Sequence, residues 1–293
     1  MNLAIDARHL SVRYGRVEAL QDLTFQLGGG KIYGLLGPNG SGKTSLLSVL
    51  AGFRKPTAGE LTVGGEAPFE NAGLGRQICF IRDRVDVNDD ETVGWAFWFA
   101  AQWRPNWDGA YAERLARAFN LPLDRKVKAL SRGQRSALGI VLGLASRAPV
   151  TIFDEAHLGL DVPSRYSFYE ALLEDYMAHP RTIILASHLI GEMEHLLEEV
   201  IILDQGRLLI HDEAENLRAA ALTVSGPASL VDRWVAGHEV LAERSLGGRK
   251  SVTFFGGVGE RERREAEQAG LELDRVTLQD LFVHLVRKRG SGS

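Results

Sequence analysis

The octapeptide from Gly37 to Thr44 is the segment whose residue types and spacing most directly indicate chemistry. It reads GPNGSGKT and satisfies the pattern G-x-x-x-x-G-K-[ST]. Its glycines let the backbone curve so that N–H groups point at phosphate oxygens. Lys43 places a positive charge between the β- and γ-phosphates of a nucleotide, and Thr44 offers a hydroxyl to Mg²⁺. The pattern therefore predicts a phosphate-binding loop at the N-terminus of a helix.

Two carboxylates follow an apolar run of strand length, Val150–Phe153. In an open α/β sheet, ligands bind where strands end, which is where Asp154 and Glu155 stand. Asp154 would hold Mg²⁺ through water, and Glu155 would orient and polarise the attacking water as general base. Alone, the pair also fits a buried strand with an ordinary polar end. Downstream of a phosphate-binding loop, it favours nucleotide hydrolysis.

A third motif, Leu130–Gln134, reads LSRGQ and precedes a run with helical apolar periodicity. One interpretation is that Ser131 is an ordinary N-cap. The other is that the helix N-terminus is presented to a phosphate group. The residues of the motif leave both interpretations open.

Together, the three motifs resemble the nucleotide-binding subunits of ATP-binding cassette (ABC) transporters, whose signature motif reads LSGGQ. The resemblance covers roughly residues 3–215 and implies ATP and Mg²⁺ as ligands. It also implies that His188, after the apolar run Thr182–Ala186, contacts the γ-phosphate, although a lone histidine is more often structural. The implied catalytic residues are Lys43, Asp154, Glu155 and His188.

The resemblance also implies which residues contact nucleotide. Tyr14 lies where the family stacks an aromatic ring on adenine, although it also fits a tyrosine in a surface turn. Asp161, in Gly159-Leu-Asp161, is similar to the loop that reaches the opposing subunit. The implied nucleotide-contacting positions are Tyr14, Gly37, Pro38, Asn39, Gly40, Ser41, Gly42, Lys43, Thr44, Ser45, Ser131, Arg132, Gly133, Gln134 and Asp161.

The chain departs from the family pattern in three places. Asp83 stands where the family has a glutamine that touches Mg²⁺, and it is either a metal ligand or a salt-bridged loop residue. The implied metal set is therefore Thr44, Asp154 and Asp83. Arg132 replaces a glycine of the signature and adds positive charge near the partner's phosphates. Ala156-His157 replaces the usual Pro-Thr, and no function is inferred for His157. Because the catalytic residues are retained, we predict hydrolysis.

The family's partners follow from the same resemblance. Two such domains pair head to tail, as a homodimer or heterodimer, so that Ser131 and Gly133 act on the partner's nucleotide. A separate transmembrane permease is driven from the cytoplasmic side of the membrane, where the cassette is peripheral. Trp107-Asp108, Tyr111 and the following LPL are similar to bacterial exporter-type subunits, which implies efflux of a drug, antibiotic or peptide. An importer subunit and an ABC ATPase not coupled to transport remain alternatives.

Four of the five tryptophans lie between Trp95 and Trp107. This aromatic concentration fits the core of a helical subdomain. It also fits a groove that receives a cytoplasmic helix of a membrane subunit, because large exposed apolar patches mark partner sites. Both interpretations can hold at once.

The elements that must position these motifs alternate between strand and helix, which predicts an α/β fold with a mainly parallel sheet. The expected architecture is a P-loop ABC ATPase core over residues 1–215, with an antiparallel β subdomain and an inserted helical subdomain at about 88–145. Residues 216–288 are expected to form a small α+β domain, whose order βαββαβα fits a ferredoxin-like fold. Residues 289–293 are expected to be a flexible tail or an expression remnant.

Composition excludes several classes of protein. The net charge of −4 gives no basic field for nucleic acid, and the single cysteine, Cys79, excludes an internal disulfide and zinc-cysteine sites. No stretch approaches the roughly 18 apolar residues that a membrane span needs. Only one phosphate-binding loop is present, which disfavours the ribosome-acting members that carry two cassettes.

Overall fold

The computed structural model describes residues 3–83 and 85–290, although the side chains of residues 288–290 are not described. The chain divides into two compact units between His211 and Asp212, four residues before the boundary expected from the sequence. Within the described residues, no helix has both the length and the hydropathy that a bilayer crossing requires.

The first unit contains nine strands and seven α-helices among the described residues, and the last strand runs across the boundary. The strands are β1 (Ile5–Tyr14), β2 (Val17–Leu27), β3 (Ile32–Leu36), β4 (Ala58–Val63), β5 (Ile78–Arg82), β6 (Val150–Asp154), β7 (Thr182–Ala186), β8 (Glu199–Asp204) and β9 (Arg207–Glu213). The helices are α1 (Lys43–Leu50), α2 (Ala72–Gln77), α3 (Val93–Trp103), α4 (Gly109–Ala118), α5 (Arg132–Ala145), α6 (Val162–Ala178) and α7 (Ile190–Met193).

The central sheet has the strand order β5-β6-β7-β3-β8-β9, and its first five strands pair in parallel. Every residue of β3, β6 and β7 is buried, as expected for parallel strands covered on both faces. Because β3, β7 and β6 are neighbours, their carboxyl ends lie together. The segments after these ends carry the phosphate-binding loop, the Asp154–Glu155 pair and Ser187-His188.

Strands β2, β1 and β4 form a separate antiparallel sheet, which is the predicted β subdomain. The predicted helical insertion contains α3, α4 and α5. Two glycines on α5 let this helix lie close to the central sheet. A Cβ at Gly139 would lie 2.9 Å from Ile81, and one at Gly143 would lie 2.5 Å from the Phe153 ring. The predicted P-loop α/β architecture is confirmed.

The second unit contains the helices α8 (Ala214–Ala220), α9 (Ala228–Trp234), α10 (Glu260–Gln268) and α11 (Leu278–Gly290), with the strands β10 (Ala221–Pro227), β11 (Glu239–Leu246), β12 (Arg249–Phe255) and β13 (Glu272–Arg275). From β10 onward the element order is the predicted βαββαβα. The antiparallel sheet order β11-β12-β10-β13 places β12 between β10 and β11, which is the split βαβ arrangement of a ferredoxin-like fold.

The predicted tail differs from the structure at its start. Helix α11 continues to Gly290, so its backbone includes two residues that the sequence placed in the tail. The helical periodicity of Leu278–Arg287 simply extends for one further turn. Residues 291–293, the rest of the predicted tail, lie outside the described residues.

Candidate nucleotide-binding and hydrolysis site

The phosphate-binding loop joins β3 to α1, and its path requires glycine at specific positions. Gly42 has φ +105° and forms the N-cap of α1, and a Cβ there would lie 2.5 Å from the Ala19 carbonyl oxygen. A Cβ at Gly37 would lie 2.3 Å from Ser41 Oγ. Any other side chain at Gly42 would add strain to a steric clash, so the loop can curve only with glycine here.

Lys43, the first residue of α1, is 7% exposed. Its Nζ donates hydrogen bonds to the carbonyl oxygens of Gly37 (2.6 Å) and Pro38 (3.1 Å), so the ammonium group lies inside the curve of the loop. Burial lowers the pKa of Lys43, while the carboxylates of Glu155 and Asp154 act in the opposite direction. The same charge can compensate phosphate oxygens held by the loop.

The other predicted positions of the loop differ in exposure. Asn39 and Gly40 are exposed at its tip, and Ser45 is half-buried in the first turn of α1. The Ser41 hydroxyl is buried and has no hydrogen-bond partner among the described residues. A buried hydroxyl without a partner is costly, so an anion accepting from Ser41 Oγ would fit the loop.

Thr44 and Asp154 bring two hard oxygen donors together. Thr44 Oγ1 donates to Asp154 Oδ2 at 3.1 Å. Burial is the main cause that raises the pKa of Asp154, and the nearby carboxylates of Glu155 and Asp83 add to it. Asp83 follows β5 directly, at the same edge of the sheet as Asp154, because Arg82 pairs with Asp154. A hydroxyl and one or two carboxylates beside a phosphate loop are donors that suit Mg²⁺.

The side chains of Glu155 and His188 meet where the ends of β6 and β7 lie together. His188 Nδ1 lies 3.0 Å from each carboxylate oxygen of Glu155. The Glu155 side chain is 17% exposed and that of His188 is 53% exposed, so the pair lies at the mouth of the site. The Glu155 backbone has φ +53°, in the left-handed region, and its N–H donates to the Ala186 carbonyl at 2.9 Å.

Tyr14, the last residue of β1, is exposed as an adenine-stacking residue must be. One face of its ring is covered, because the guanidinium carbon of Arg54 lies 3.8 Å from the ring centroid. Arg54 also donates to the Arg13 carbonyl, which holds the guanidinium in place. A base would therefore stack on the opposite face of Tyr14.

The signature segment forms the beginning of α5. The Ser131 side chain accepts from Gln134 N–H, and Gln134 Oε1 accepts from Ser131 N–H, which together make a capping box. The N-cap interpretation of Ser131 is therefore confirmed. A Cβ at Gly133 would lie 3.1 Å from the Gly159 carbonyl oxygen, so this helix start packs against the loop after Glu155.

Arg132 is exposed at the first position of α5. Asp161 caps α6, because its Oδ1 accepts from Ser164 N–H at 3.0 Å. A hydrogen bond from the Ser164 side chain is the main cause that lowers the pKa of Asp161, and the backbone hydrogen bond from Ser164 lowers it further. These two residues lie at helix starts, whereas Lys43, Thr44, Asp154, Glu155 and His188 are brought together at the strand ends.

Sequence reasoning assigned no role to His157 and Ser187, which the structure places beside the Glu155–His188 pair. His157 Nε2 lies 3.1 Å from Ser187 Oγ and 3.7 Å from Glu155 Oε2. The only available signal was that His157 departs from the family pattern. Ser187, the hydrogen-bond partner of His157, lies 30 positions further along the chain.

The comparisons with known proteins agree with this geometry. The family model described as ABC transporter matches residues 20–157. Nod factor export ATP-binding protein I of Burkholderia orbicola is 31% identical over 214 residues, which cover 69% of this chain and 68% of the relative. Ribose import ATP-binding protein RbsA of Cereibacter sphaeroides is 31% identical over 216 residues, 70% of this chain but 43% of the relative.

A solved structure described as the ATP-binding subunit of an ABC transporter superposes with a TM-score of 0.66. It is 25% identical and covers 73% of this chain and 91% of that one. The 31% identity over two thirds of this chain and of the Nod factor export relative shows the family, and the fold agrees with it. This chain belongs to the ATP-binding subunits of ABC transporters, which are ATPases.

Proposed function

We propose that this chain hydrolyses ATP at the joined ends of β3, β6 and β7 and thereby powers export through a separate membrane subunit. The hydrolytic part is supported chiefly by one observation, the contact of Glu155 with His188 beside Lys43. Glu155 orients a water molecule and accepts its proton as the water oxygen attacks the γ-phosphorus. The bond from the γ-phosphorus to the bridging oxygen then breaks, leaving ADP and phosphate.

The other side chains of the site position and stabilise the reacting groups. Lys43 compensates the charge on the β- and γ-phosphates, and His188 donates to the γ-phosphate while its other nitrogen stays with Glu155. Thr44 Oγ1 and Asp154, with Asp83 next to them, would hold Mg²⁺. When bound, Mg²⁺ neutralises charge that develops on the phosphates.

A second cassette completes the site in this proposal. Ser131, Arg132 and Gly133 stand at the start of α5, where the helix dipole and exposed N–H groups favour an anion. The capping box fixes the shape of this helix start before it meets a partner's nucleotide. ATP then favours the paired state because it contacts both cassettes, and hydrolysis removes that preference.

The coupling to a membrane subunit rests on an aromatic groove in the first unit. A cavity of about 470 Å³ lies between β5 and α3, with Phe53, Phe80, Trp95, Phe99 and Trp103 among its lining residues. Trp98 and Trp103 are at least half exposed. Such a groove suits an amphipathic helix, whose apolar face would cover the rings. This partner would hold the chain at the cytoplasmic face of the membrane.

Export is favoured over import by the extent of the similarity. The Nod factor export relative is matched over two thirds of its length, whereas the ribose import relative is matched over less than half. The Trp107-Asp108 and Tyr111 segment agrees with this direction. We therefore infer that the transported compound leaves the cell.

Purification from detergent-solubilised membranes of the native host tests the proposal. We expect a multi-span membrane protein to co-purify with the full chain. W103S should lose it while keeping basal ATP hydrolysis, because Trp103 lines the groove and not the hydrolytic site. L246S, at an exposed apolar residue of the second unit, is the matched control and should retain it. Recovery of ribosomes or DNA alone would contradict the proposal.

A further inference from the structure

His157 lies in the loop between β6 and α6 and is only 4% exposed. A buried imidazole is costly unless its nitrogens are hydrogen-bonded, so its contacts indicate what holds it there. Nε2 lies 3.1 Å from Ser187 Oγ, on the loop that carries His188, and 3.7 Å from Glu155 Oε2. One nitrogen therefore faces both loops of the hydrolytic site.

Ser187 is itself fixed. It is 2% exposed, and its Oγ accepts from the Leu189 N–H at 2.9 Å. Either tautomer of His157 can complete this arrangement, since Ser187 can donate to Nε2 or accept from it. The Ser187 hydroxyl thus links the His157 imidazole to the backbone N–H of Leu189, the residue that follows His188.

Side-chain contacts consequently join the two loops at two places, in addition to the backbone hydrogen bond from Glu155 to Ala186. On the exposed side, His188 contacts Glu155, and on the buried side, His157 contacts Ser187. The Tyr169 ring, with its centroid 6.3 Å from that of His157, confines the imidazole from α6. Two contacts define the relative position of two loops better than one, because a single hydrogen bond still permits rotation about it.

We propose that His157 is a positioning residue that sets the distance between Glu155 and His188 through Ser187. This inference rests on the proposed role of Glu155 as general base. Hydrolysis depends on that distance because a displacement of about 1 Å of a catalytic group can lower the rate by about a hundredfold. The ordinary alternative is that His157 contributes only to the stability of the fold.

The test uses H157L, which keeps volume and removes both nitrogens, and H157Q, whose amide reaches the place of Nε2. We expect H157L to lower kcat about tenfold with an unchanged Kd for ATP, and H157Q to recover most of the rate. H9L, at an exposed histidine paired with Asp22, is the control and should match the unmodified chain. S187A should lower kcat similarly, and the double variant H157L/S187A should lose no more than either alone.

Rates are counted per folded, ATP-binding chain so that loss of stability does not imitate loss of positioning. If H157L does not fold, H157N replaces it, because its shorter amide cannot reach Ser187. An unchanged kcat in these variants, additive losses in the double variant, or failure of H157Q to recover the rate would overturn the inference.

A second measurement separates this inference from the proposed function. Hydrogen exchange of residues 186–193 should become faster in H157L and stay unchanged in E155Q, whether or not ATP is hydrolysed. If E155Q still hydrolyses ATP, the base assignment is wrong. If E155Q is inactive while H157L has full kcat and unchanged exchange, the positioning role alone is wrong.

Discussion

Both carboxylate oxygens of Glu155 contact His188. Replacing one of these oxygens by an amide nitrogen therefore tests the role of Glu155 as a base. Glu155→Gln keeps the shape but removes the basicity, so we expect kcat to fall at least about a hundredfold. ATP should remain bound, because Lys43 and the phosphate-binding loop are unchanged. Phosphate release and the nucleotide retained after gel filtration measure the two effects. E170Q, at an exposed position of α6, is the control.

The burial of His157 has a consequence for stability against acid. Burial is the main cause that lowers the pKa of His157, and His188 and Arg165 lower it further, while Glu155 and Glu192 act in the opposite direction. The unfolded chain therefore binds a proton near pH 6.5 that the folded chain binds only at lower pH. The free energy of unfolding should rise with pH through this window, by at most about 1.4 kcal/mol per pH unit from this group.

Urea unfolding between pH 5 and pH 8 checks this expectation. H157Q should reduce the slope, because the amide does not titrate. An identical slope in H157Q would show that other groups cause the dependence.

A residue's role could be predicted from the sequence when the residues that it acts with lie close to it in the chain. Lys43 and Thr44 are recognisable because the whole phosphate-binding motif is contiguous. Glu155 is recognisable because it directly follows an apolar strand. His157 could not be assigned a role, because its partner Ser187 becomes adjacent only through the parallel pairing of β6 with β7.

Among the elements, α5 carries the signature at one end and packs on the central sheet along its length. Gly143→Ala would place a Cβ 2.5 Å from Phe153, where the helix cannot recede without moving the signature. We expect this change to lower the free energy of unfolding by about 1–3 kcal/mol. Gly75→Ala, in α2, meets nothing within 4 Å and should instead stabilise by about 0.5–1 kcal/mol. Urea unfolding of both variants compares them, and equal effects would contradict the packing argument.

Element boundaries were predictable wherever apolar runs ended in turn residues. The strand Thr182–Ala186 agrees with the apolar run in the sequence residue for residue. The close packing of Gly139 and Gly143 was not predictable, because helical periodicity does not show which element faces a glycine. The order of strands in the central sheet likewise depends on tertiary contacts that no local pattern contains.

For the whole molecule, the division into two units has a direct test. The second unit has its own core of eight buried residues, which are Leu222, Val224, Val231, Val235, Val252, Phe254, Ala266 and Leu271. We expect residues 212–290, expressed alone, to fold and to unfold cooperatively, since domains of this size are marginal but independent. Circular dichroism during thermal unfolding measures this. A non-cooperative transition would contradict it.

The left-handed backbone of Glu155 affects how this protein can be stabilised. Most residues cost about 1–2 kcal/mol of stability in that conformation, whereas glycine and asparagine tolerate it. A selection for heat resistance alone would therefore favour replacement of Glu155 and would yield a more stable chain without its proposed base. Stabilised variants for crystallisation or storage should therefore retain Glu155. Stability favours another residue at this position, whereas the proposed hydrolysis requires the glutamate.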